Sequence, residues 1–207
     1  MLHQIRQFIS ELIEKSMNKR ARRRLKNDNF SILCSNCIGG TIYHRLGKEF
    51  LTPTINLWLT QGDFIKFAVD VKHYVSLPLE FIKKEDINYP VAKLDDITIH
   101  FNHAKTEEEA AENWNRRKER INYDNLYLIL YYRDNYTIED IRRIEQANCR
   151  GKVVLTNKKI PLEYAYYIKE NVGKPYSDSF LDKDWFGIRS FEKKWDYIKW
   201  LNQGIQE

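Results

Sequence analysis

The sequence has no hydrophobic run long enough to cross a membrane and no secretion signal. Its longest uninterrupted apolar stretch, residues 126–132, is far shorter than the ~20 residues that a membrane-spanning helix needs. The apolar residues near the N-terminus are interrupted by Arg6, Glu11 and Glu14 and lead to no small-residue cleavage site. We therefore expect a cytoplasmic protein.

Cysteine is scarce, and the glycine-rich nucleotide-binding motifs are missing. Three cysteines in a chain without an export signal favour free thiols over a disulfide framework. Neither the dinucleotide-binding pattern nor the P-loop pattern occurs, so nucleotide binding by those modes has no support. We predict no cofactor.

The positive charge is concentrated at one end of the chain. The formal net charge is +5, yet residues 1–26 alone hold eight Lys and Arg against two Glu, so the remainder is nearly neutral. A protein that grips long nucleic acid usually spreads its basic surface over the folded domain. We therefore expect no nucleic-acid partner, and we divide the chain into a basic leader, residues 1–26, and a single α/β domain, residues 27–207.

The leader has an apolar stripe at helical spacing, followed by a strongly basic run. This pattern predicts an amphipathic helix. Such a helix is suited to attachment at the anionic inner surface of a membrane, peripheral to the bilayer. It is equally suited to packing on its own domain, and the sequence leaves both interpretations open. The stripe comprises Leu2, Ile5, Phe8, Ile9, Leu12 and Ile13.

Strands and helices alternate along the rest of the chain, which predicts a three-layer α/β sandwich with a mostly parallel central sheet. Residues 79–103 break the alternation and could add a hairpin that makes this sheet mixed. Further predictions are a strand at residues 55–59, one helix of about four turns at residues 63–77, and helices at residues 137–148, 164–171 and 190–201.

The turn after the first predicted strand holds the first candidate for chemistry. Cys37 would lie at a strand-to-helix junction, where the helix dipole and unpaired backbone N–H groups favour a thiolate nucleophile. Gly39 and Gly40 would let a substrate approach the backbone and would donate to an oxyanion, with Asn36 beside them as a substrate contact. The alternative is a buried cysteine next to glycines that serve only tight packing.

Two histidines and two aspartates lie close together further along the chain. His100 or His103 would act as the base for Cys37, and Asp95 or Asp96 would orient that histidine. The alternatives are a hydrogen-bonded structural histidine and an ordinary Asp-Asp turn between two strands.

The C-x-x-C spacing of Cys34 and Cys37 also requires a redox or zinc interpretation. Cys34 belongs to an apolar strand, whereas a redox motif exposes its first cysteine at a helix start. Cys149 and the histidines give no second compact ligand pair, so we predict no metal site.

A predicted helix carries an aromatic side chain and two arginines at spacings of three. Trp114, Arg117 and Arg120 would bind an anionic, ring-bearing substrate such as a sugar-nucleotide or a lipid-linked saccharide. The commoner outcome for such a run is a solvated helix face whose Trp packs inward.

Taken together, these motifs resemble a bacterial family catalogued as domain of unknown function nineteen-nineteen, whose members are often labelled exopolysaccharide biosynthesis proteins. The resemblance covers residues 29–203. The residues that carry it are Ser35-Asn36-Cys37-Ile38-Gly39-Gly40, Tyr43, Thr52-Pro53-Thr54, Asp63 with Lys66, Tyr89-Pro90, Leu94-Asp95-Asp96-Ile97 through His100-Phe101 and His103, and Trp114 with Arg117, Arg120, Ile121 and Asn122.

The resemblance implies an α/β fold and a cytoplasmic role in capsule or exopolysaccharide assembly. Our leading hypothesis is an enzyme, of transferase type, that transfers or modifies a sugar on a nucleotide- or lipid-linked substrate by Cys-His chemistry. One alternative is a non-catalytic, membrane-associated adaptor of a polysaccharide synthase. Another is a metal-dependent sugar-nucleotide transferase that uses Asp95 and Asp96.

Overall fold

The strands form two separate sheets. The structure, a computed structural model, describes residues 2–132, 137–169 and 179–203. Within those ranges the strands are β1 (Ser31–Cys34), β2 (Glu80–Ile82), β3 (Val91–Leu94), β4 (Ile97–His100), β5 (Leu126–Tyr131), β6 (Gly151–Thr156) and β7 (Ala165–Tyr167). Four of them pair in the parallel order β1-β5-β6-β7, and the other three form the antiparallel order β2-β3-β4.

Helices cover both faces of the parallel sheet. They are α1 (Leu2–Arg24), α2 (Ile38–Leu46), α3 (Gln61–Val69), α4 (Val71–Ser76), α5 (Glu107–Lys118), α6 (Ile138–Arg142), α7 (Ser190–Lys194) and α8 (Tyr197–Leu201). Short 3-10 turns occupy Tyr123–Asn125, Arg143–Gln146 and Ser179–Leu181.

Alternating side chains of the parallel strands enter two hydrophobic clusters. Leu33 and Leu128 pack in one cluster with helices α3 to α6 and the antiparallel sheet. Ile32 and Ile129 pack in the other with α1, α2, α7 and α8. Because successive residues of a strand point to opposite faces, this division places the sheet between two layers. The predicted three-layer α/β fold is confirmed.

The hairpin at residues 79–103 does not join the parallel sheet, so the mixed central sheet that we allowed for is wrong. Val91 pairs with His100 and Leu94 with Ile97, and β2 adds to the other edge of β3. Ile97 is fully buried in the same cluster as Leu128 of β5. The antiparallel sheet therefore contributes its apolar face to that cluster instead of lengthening the parallel sheet.

Several predicted elements have different boundaries. The helix predicted for residues 63–77 is broken at Asp70, which has φ −131° and ψ 62° and whose side chain accepts from the N–H of His73. The helix predicted for residues 190–201 is broken at Trp195, and the helix predicted for residues 137–148 changes to a 3-10 turn after Arg142.

Two predicted elements are of the wrong type. Residues 164–171 were expected to be helical, yet the described part of that range contains strand β7. Residues 55–59 form no strand: residues 55 and 56 belong to a turn, and Trp58 makes a single bridge to His100.

Strand β1 lies at one edge of the parallel sheet, and side chains satisfy its outward-facing backbone groups. Residues 51–58, here called the edge segment, run beside it. The hydroxyl of Thr52 donates to the carbonyl oxygen of Ile32 at 2.6 Å, and the N–H of Cys34 donates to the hydroxyl oxygen of Thr54 at 3.3 Å. These two threonines therefore perform the hydrogen bonding that a neighbouring strand would otherwise supply.

The leader helix α1 packs on the domain through a buried ion network. The guanidinium of Arg45, which is only 2% exposed, makes two bonds to the carboxylate of Glu192 at 2.7 and 2.8 Å. The same group contacts Glu14 at 3.0 Å and Asn18 at 3.1 Å, both on α1. One side of α1 is therefore fixed to the domain. None of the helices in the described ranges has the combined length and hydrophobicity that a membrane crossing requires.

The hydrogen bond from Thr52 to the carbonyl of Ile32 leads to a prediction for the stability of two Thr52 variants. Thr52→Val should lower the free energy of unfolding by about 1–3 kcal/mol, because the buried carbonyl of Ile32 loses its donor. Thr52→Ser keeps the hydroxyl and should lose less. Denaturant unfolding of the two variants measures the difference, and equal losses would show that the hydrogen bond is not what stabilises the edge.

Candidate functional site

The turn after β1 is built on a buried thiol. Sγ of Cys34 donates to Oδ1 of Asn36 at 3.2 Å and accepts from the N–H of Gly39 at 3.2 Å. The same amide oxygen accepts from the N–H of Ile38 at 3.0 Å. Burial raises the pKa of Cys34 to about 12, so this cysteine is a neutral thiol of the core.

The two glycines of α2 serve close packing. A methyl group on Gly39 would lie 2.7 Å from Cβ of Cys34 and 2.8 Å from Cδ1 of Ile55, and one on Gly40 would lie 3.3 Å from Cγ2 of Ile55. The N–H of Gly39 already donates to Cys34. The geometry therefore favours the packing interpretation over the predicted contact of both glycines with substrate.

Cys37 precedes α2 on the side of the helix that faces solvent. It is half-buried, with φ −76° and ψ 0°, and its carbonyl accepts from the N–H and the hydroxyl of Thr41. Thr41 and His44 follow at the fourth and seventh positions, so the three side chains share one face of the helix. Cys34, Cys37 and Cys149 are all thiols, not disulfide-bonded.

His100 is a buried residue with aromatic neighbours, and the structure does not bring it to Cys37. Its ring centroid lies 4.4 Å from that of Trp58, and Nδ1 is 3.5 Å from the hydroxyl oxygen of Tyr89. Among the described residues it makes no hydrogen bond to Cys37. Burial lowers the pKa of His100, with a further lowering from Lys84, so the ring is neutral at pH 7.

The two aspartates lie at the opposite end of the hairpin from His100. They form the turn between β3 and β4, where Asp95 has φ 53°, whereas His100 is the last residue of β4. Four residues of strand separate Asp96 from His100 by about 13 Å. The predicted orientation of the histidine by Asp95 or Asp96 is therefore not formed, and His103 is exposed in the loop beyond β4.

Each aspartate has other partners. The carboxylate of Asp96 accepts from Nζ of Lys66 at 2.6 Å and from the hydroxyl of Tyr74 at 2.8 Å, which lowers its pKa. Asp95 meets Nε2 of His73 at 3.3 Å. In the part of the chain that the structure describes, no three His, Cys, Asp or Glu side chains are grouped to hold a metal ion.

Trp114 belongs to the core, which corrects its predicted role in substrate binding. It is 2% exposed, and its ring lies 6.1 Å from that of Phe67 and 6.3 Å from that of Phe101. The inward-packing alternative is the right one for this residue.

The two arginines that follow Trp114 line a cationic cleft between the ends of α2 and α5. The cleft, here called the basic cleft, has a volume of about 350 Å³ and is lined by His44, Lys48, Glu49, Phe50, Arg116, Arg117 and Arg120. Four permanent cations therefore surround a single carboxylate.

Arg117 is held in place by neutral groups. Its Nη1 donates to the carbonyl oxygen of Ile55 at 2.9 Å, and the guanidinium lies 5.1 Å from the ring centroid of Phe50. Burial lowers the pKa of Arg117, and the positive charges of Arg116 and Arg120 add to the effect. A half-buried cation among like charges is a position that a bound anion would stabilise.

The neighbouring cations differ in how far they are already neutralised. Arg120 pairs with Glu49 at 2.9 Å, and Lys48 pairs with Asp28 at 2.9 Å. Within residues 2–132, 137–169 and 179–203, Arg117 makes no ion pair, and Arg116 bonds only to the amide oxygen of Asn113. The basic cleft therefore has two guanidinium groups without a carboxylate.

The basic cleft and Cys37 are joined by one face of α2. Phe50 packs on His44 with ring centroids 5.4 Å apart and approaches Gly40, where an added methyl group would lie 3.9 Å from its Cζ. His44 and Cys37 are seven residues apart, or about 10 Å along the helix. His44 therefore cannot be the direct base of Cys37.

Sequence reasoning found Arg117 and Arg120 and missed the other members of this site. His44 lies at helical spacing from Cys37, which was a usable signal. Phe50 and Ile55 carry no such signal, because their contacts with Arg117 depend on the tertiary path of the edge segment.

The fold and the site define a three-layer α/β protein with a cationic cleft at the end of helix α2. The chain belongs to the family described as Domain of unknown function (DUF1919), whose model matches residues 8–202 and so begins inside α1. The chain is also 36% identical over 188 residues to a protein of Haemophilus influenzae (strain ATCC 51907 / DSM 11121 / KW20 / Rd) described as "Uncharacterized protein", with 90% of each chain covered.

The three thiols should react with iodoacetamide in a definite order. Cys37 should be labelled first in the folded protein, because Cys34 is buried and burial also raises the pKa of Cys149. Mass spectrometry of the labelled peptides measures the order, and Cys37→Ser is the control. Labelling of Cys34 before Cys37 would contradict the described turn.

Proposed function

We propose that the protein binds the phosphate groups of a nucleotide- or lipid-linked sugar in the basic cleft and transfers or modifies that sugar. The proposal rests on the environment of Arg117, whose half-buried guanidinium is held by neutral groups and surrounded by like charges. A planar guanidinium presents paired donors that match phosphate oxygens, which is why arginine is common where phosphate is recognised.

A purely structural role at the end of helix α5 explains these arginines less well than phosphate binding does. Basic side chains in the last turn of a helix are stabilised by the helix dipole, and Arg116, Arg117 and Lys118 occupy that turn of α5. The dipole explains a preference for cations there. It does not explain why Arg117 is partly buried with no carboxylate paired to it among the described residues.

The position of the cleft suits the chemistry of sugar transfer. In sugar transfer, an acceptor hydroxyl oxygen bonds to the anomeric carbon and releases its proton to solvent, while the bond from that carbon to the diphosphate oxygen breaks and the diphosphate leaves with the electron pair. Arg116 and Arg117 would stabilise the negative charge that develops on it. The sugar would then extend along the face of α2 towards Thr41 and Cys37.

The biological setting that we propose is surface polysaccharide assembly in the cytoplasm. Its support is the resemblance drawn from the sequence, which implies a role in capsule or exopolysaccharide assembly; the matching family is described only as a domain of unknown function. Cys-His chemistry has less support than phosphate binding, because His100 lies against Trp58 and not against Cys37.

A non-catalytic adaptor of a polysaccharide synthase is the second candidate. The observation in its favour is that the predicted Cys-His-Asp arrangement is not assembled. The pH dependence of Cys37 alkylation separates the two candidates. A rate that reaches half its maximum below about pH 7 favours catalysis, and a slow, thiol-like rate favours the adaptor.

Binding measurements on two arginine variants test the proposal. Isothermal titration with pyrophosphate and with UDP-glucose should give saturable binding to the natural protein that weakens with salt. Arg116→Gln should weaken it several-fold and Arg117→Gln about tenfold or more, since the second removes the more desolvated cation.

The control is Arg143→Gln, which removes an exposed arginine from the 3-10 turn after α6 and should leave binding unchanged. Arg117→Gln removes the hydrogen bond to Ile55 and could destabilise the fold. Arg116 is exposed, so Arg116→Gln should fold normally and still tests the site. Absence of saturable pyrophosphate binding to the natural protein, or an equal effect of Arg143→Gln, would refute the phosphate site.

A further inference from the structure

Helix α1 has one side on the domain and one side in solvent. Glu14, Asn18 and Ala21 face the domain, where the first two meet Arg45 and the third is buried. The opposite side begins with apolar residues that the fold leaves uncovered. They are Ile5, Phe8, Ile9 and Leu12, which are 49%, 62%, 40% and 50% exposed.

A loop from the other end of the chain extends this apolar surface. Trp185 and Phe186, which are 60% and 51% exposed, lie between the last 3-10 turn and α7. The guanidinium of Arg6 lies 4.5 Å from the Trp185 ring centroid, and Gly187 is packed so closely on Ser10 that an added methyl group would collide with its hydroxyl. The loop therefore sits against the first half of α1.

The second half of α1 presents cations on the same side. Lys15, Lys19 and Arg23 follow Phe8 and Leu12 at spacings of three and four, so the apolar and basic residues form one continuous helix face. All three are exposed, and in the described part of the chain none of them has a carboxylate partner. We call this face, together with Trp185 and Phe186, the docking face.

We propose that the docking face binds the surface of an anionic lipid bilayer, with α1 lying in the plane of the interface. The apolar half would enter the boundary between headgroups and acyl chains, and the basic half would contact the anionic headgroups. Trp185 is suited to that boundary because its ring is apolar and its N–H remains a donor. The charge of the face selects an anionic bilayer over a neutral one.

A second copy of the chain fits this face less well. A parallel pair of copies joined by this face would bring Lys15, Lys19 and Arg23 of each chain towards the same residues of the other, and an antiparallel pair would place these cations against the apolar half of the partner helix. A nucleic acid would meet the cations but leave the six apolar side chains exposed. The bilayer is the partner that satisfies both halves, and the inference does not depend on the ligand of the basic cleft.

Sedimentation of the full chain with vesicles tests this inference. The natural protein should sediment with vesicles that contain phosphatidylglycerol and much less with phosphatidylcholine alone. Phe8→Asp with Leu12→Asp, and separately Lys15→Glu with Lys19→Glu and Arg23→Glu, should each lower the partition coefficient at least about tenfold.

The matched control reverses three exposed lysines elsewhere, Lys83→Glu with Lys93→Glu and Lys105→Glu, and should sediment as the natural protein does. Trp185 gives a second readout, because its emission should shift to the blue with anionic vesicles and Trp185→Phe should abolish the shift. The altered side chains are exposed, and circular dichroism checks that each variant folds.

Three results would overturn the proposal. They are no sedimentation of the natural protein with anionic vesicles, equal sedimentation with both vesicle types, and an equal loss in the control. Sedimentation velocity tests the alternative that a second copy binds this face. A dimer that dissociates in the Phe8→Asp, Leu12→Asp variant, together with no binding of the natural protein to vesicles, would support that alternative and overturn the proposal.

Discussion

The free edge of β1 is the constraint on which the site depends. An edge strand must have its backbone groups satisfied, and here the edge segment does so with the hydroxyls of Thr52 and Thr54 in place of another strand. This path places Ile55 against Gly39 of α2 and directs the Ile55 carbonyl at Arg117. One set of hydrogen bonds therefore fixes both the packing of α2 and the position of Arg117, the cation that we propose binds phosphate.

The same constraint moves the candidate chemistry from the strand end to the outer face of α2. The N–H of Gly39 donates to Sγ of Cys34 inside the turn, so neither group is available to bind a substrate. His44, Phe50 and Arg117 meet at the other end of the helix, where cations exceed carboxylates. A site of this kind holds its ligand by charge and shape. Cys37 lies on the same face of α2 as the cleft residue His44, and its role in a reaction stays a prediction.

The fold could be predicted from the sequence wherever a pattern is local. Strand β5 is a continuous apolar run, β6 has the apolar centre Val153-Val154-Leu155, and Thr106 caps α5 as its spacing indicates. Residues 55–59 alternate like a strand, but only Ile55 and Leu59 are buried, and the chain turns at residues 53–56 beside β1 instead of pairing with it as a strand. Closeness in sequence was also misleading for His100 and Asp96, because a straight strand separates them.

A crystal structure with tungstate, a heavy analogue of phosphate that anomalous scattering can locate, would show directly whether the basic cleft binds phosphate. We expect tungstate in the basic cleft, within hydrogen-bond distance of both Arg116 and Arg117, and its loss from Arg117→Gln crystals. Tungstate bound only elsewhere on the protein, with these two guanidinium groups unchanged and solvated, would rule out the phosphate site.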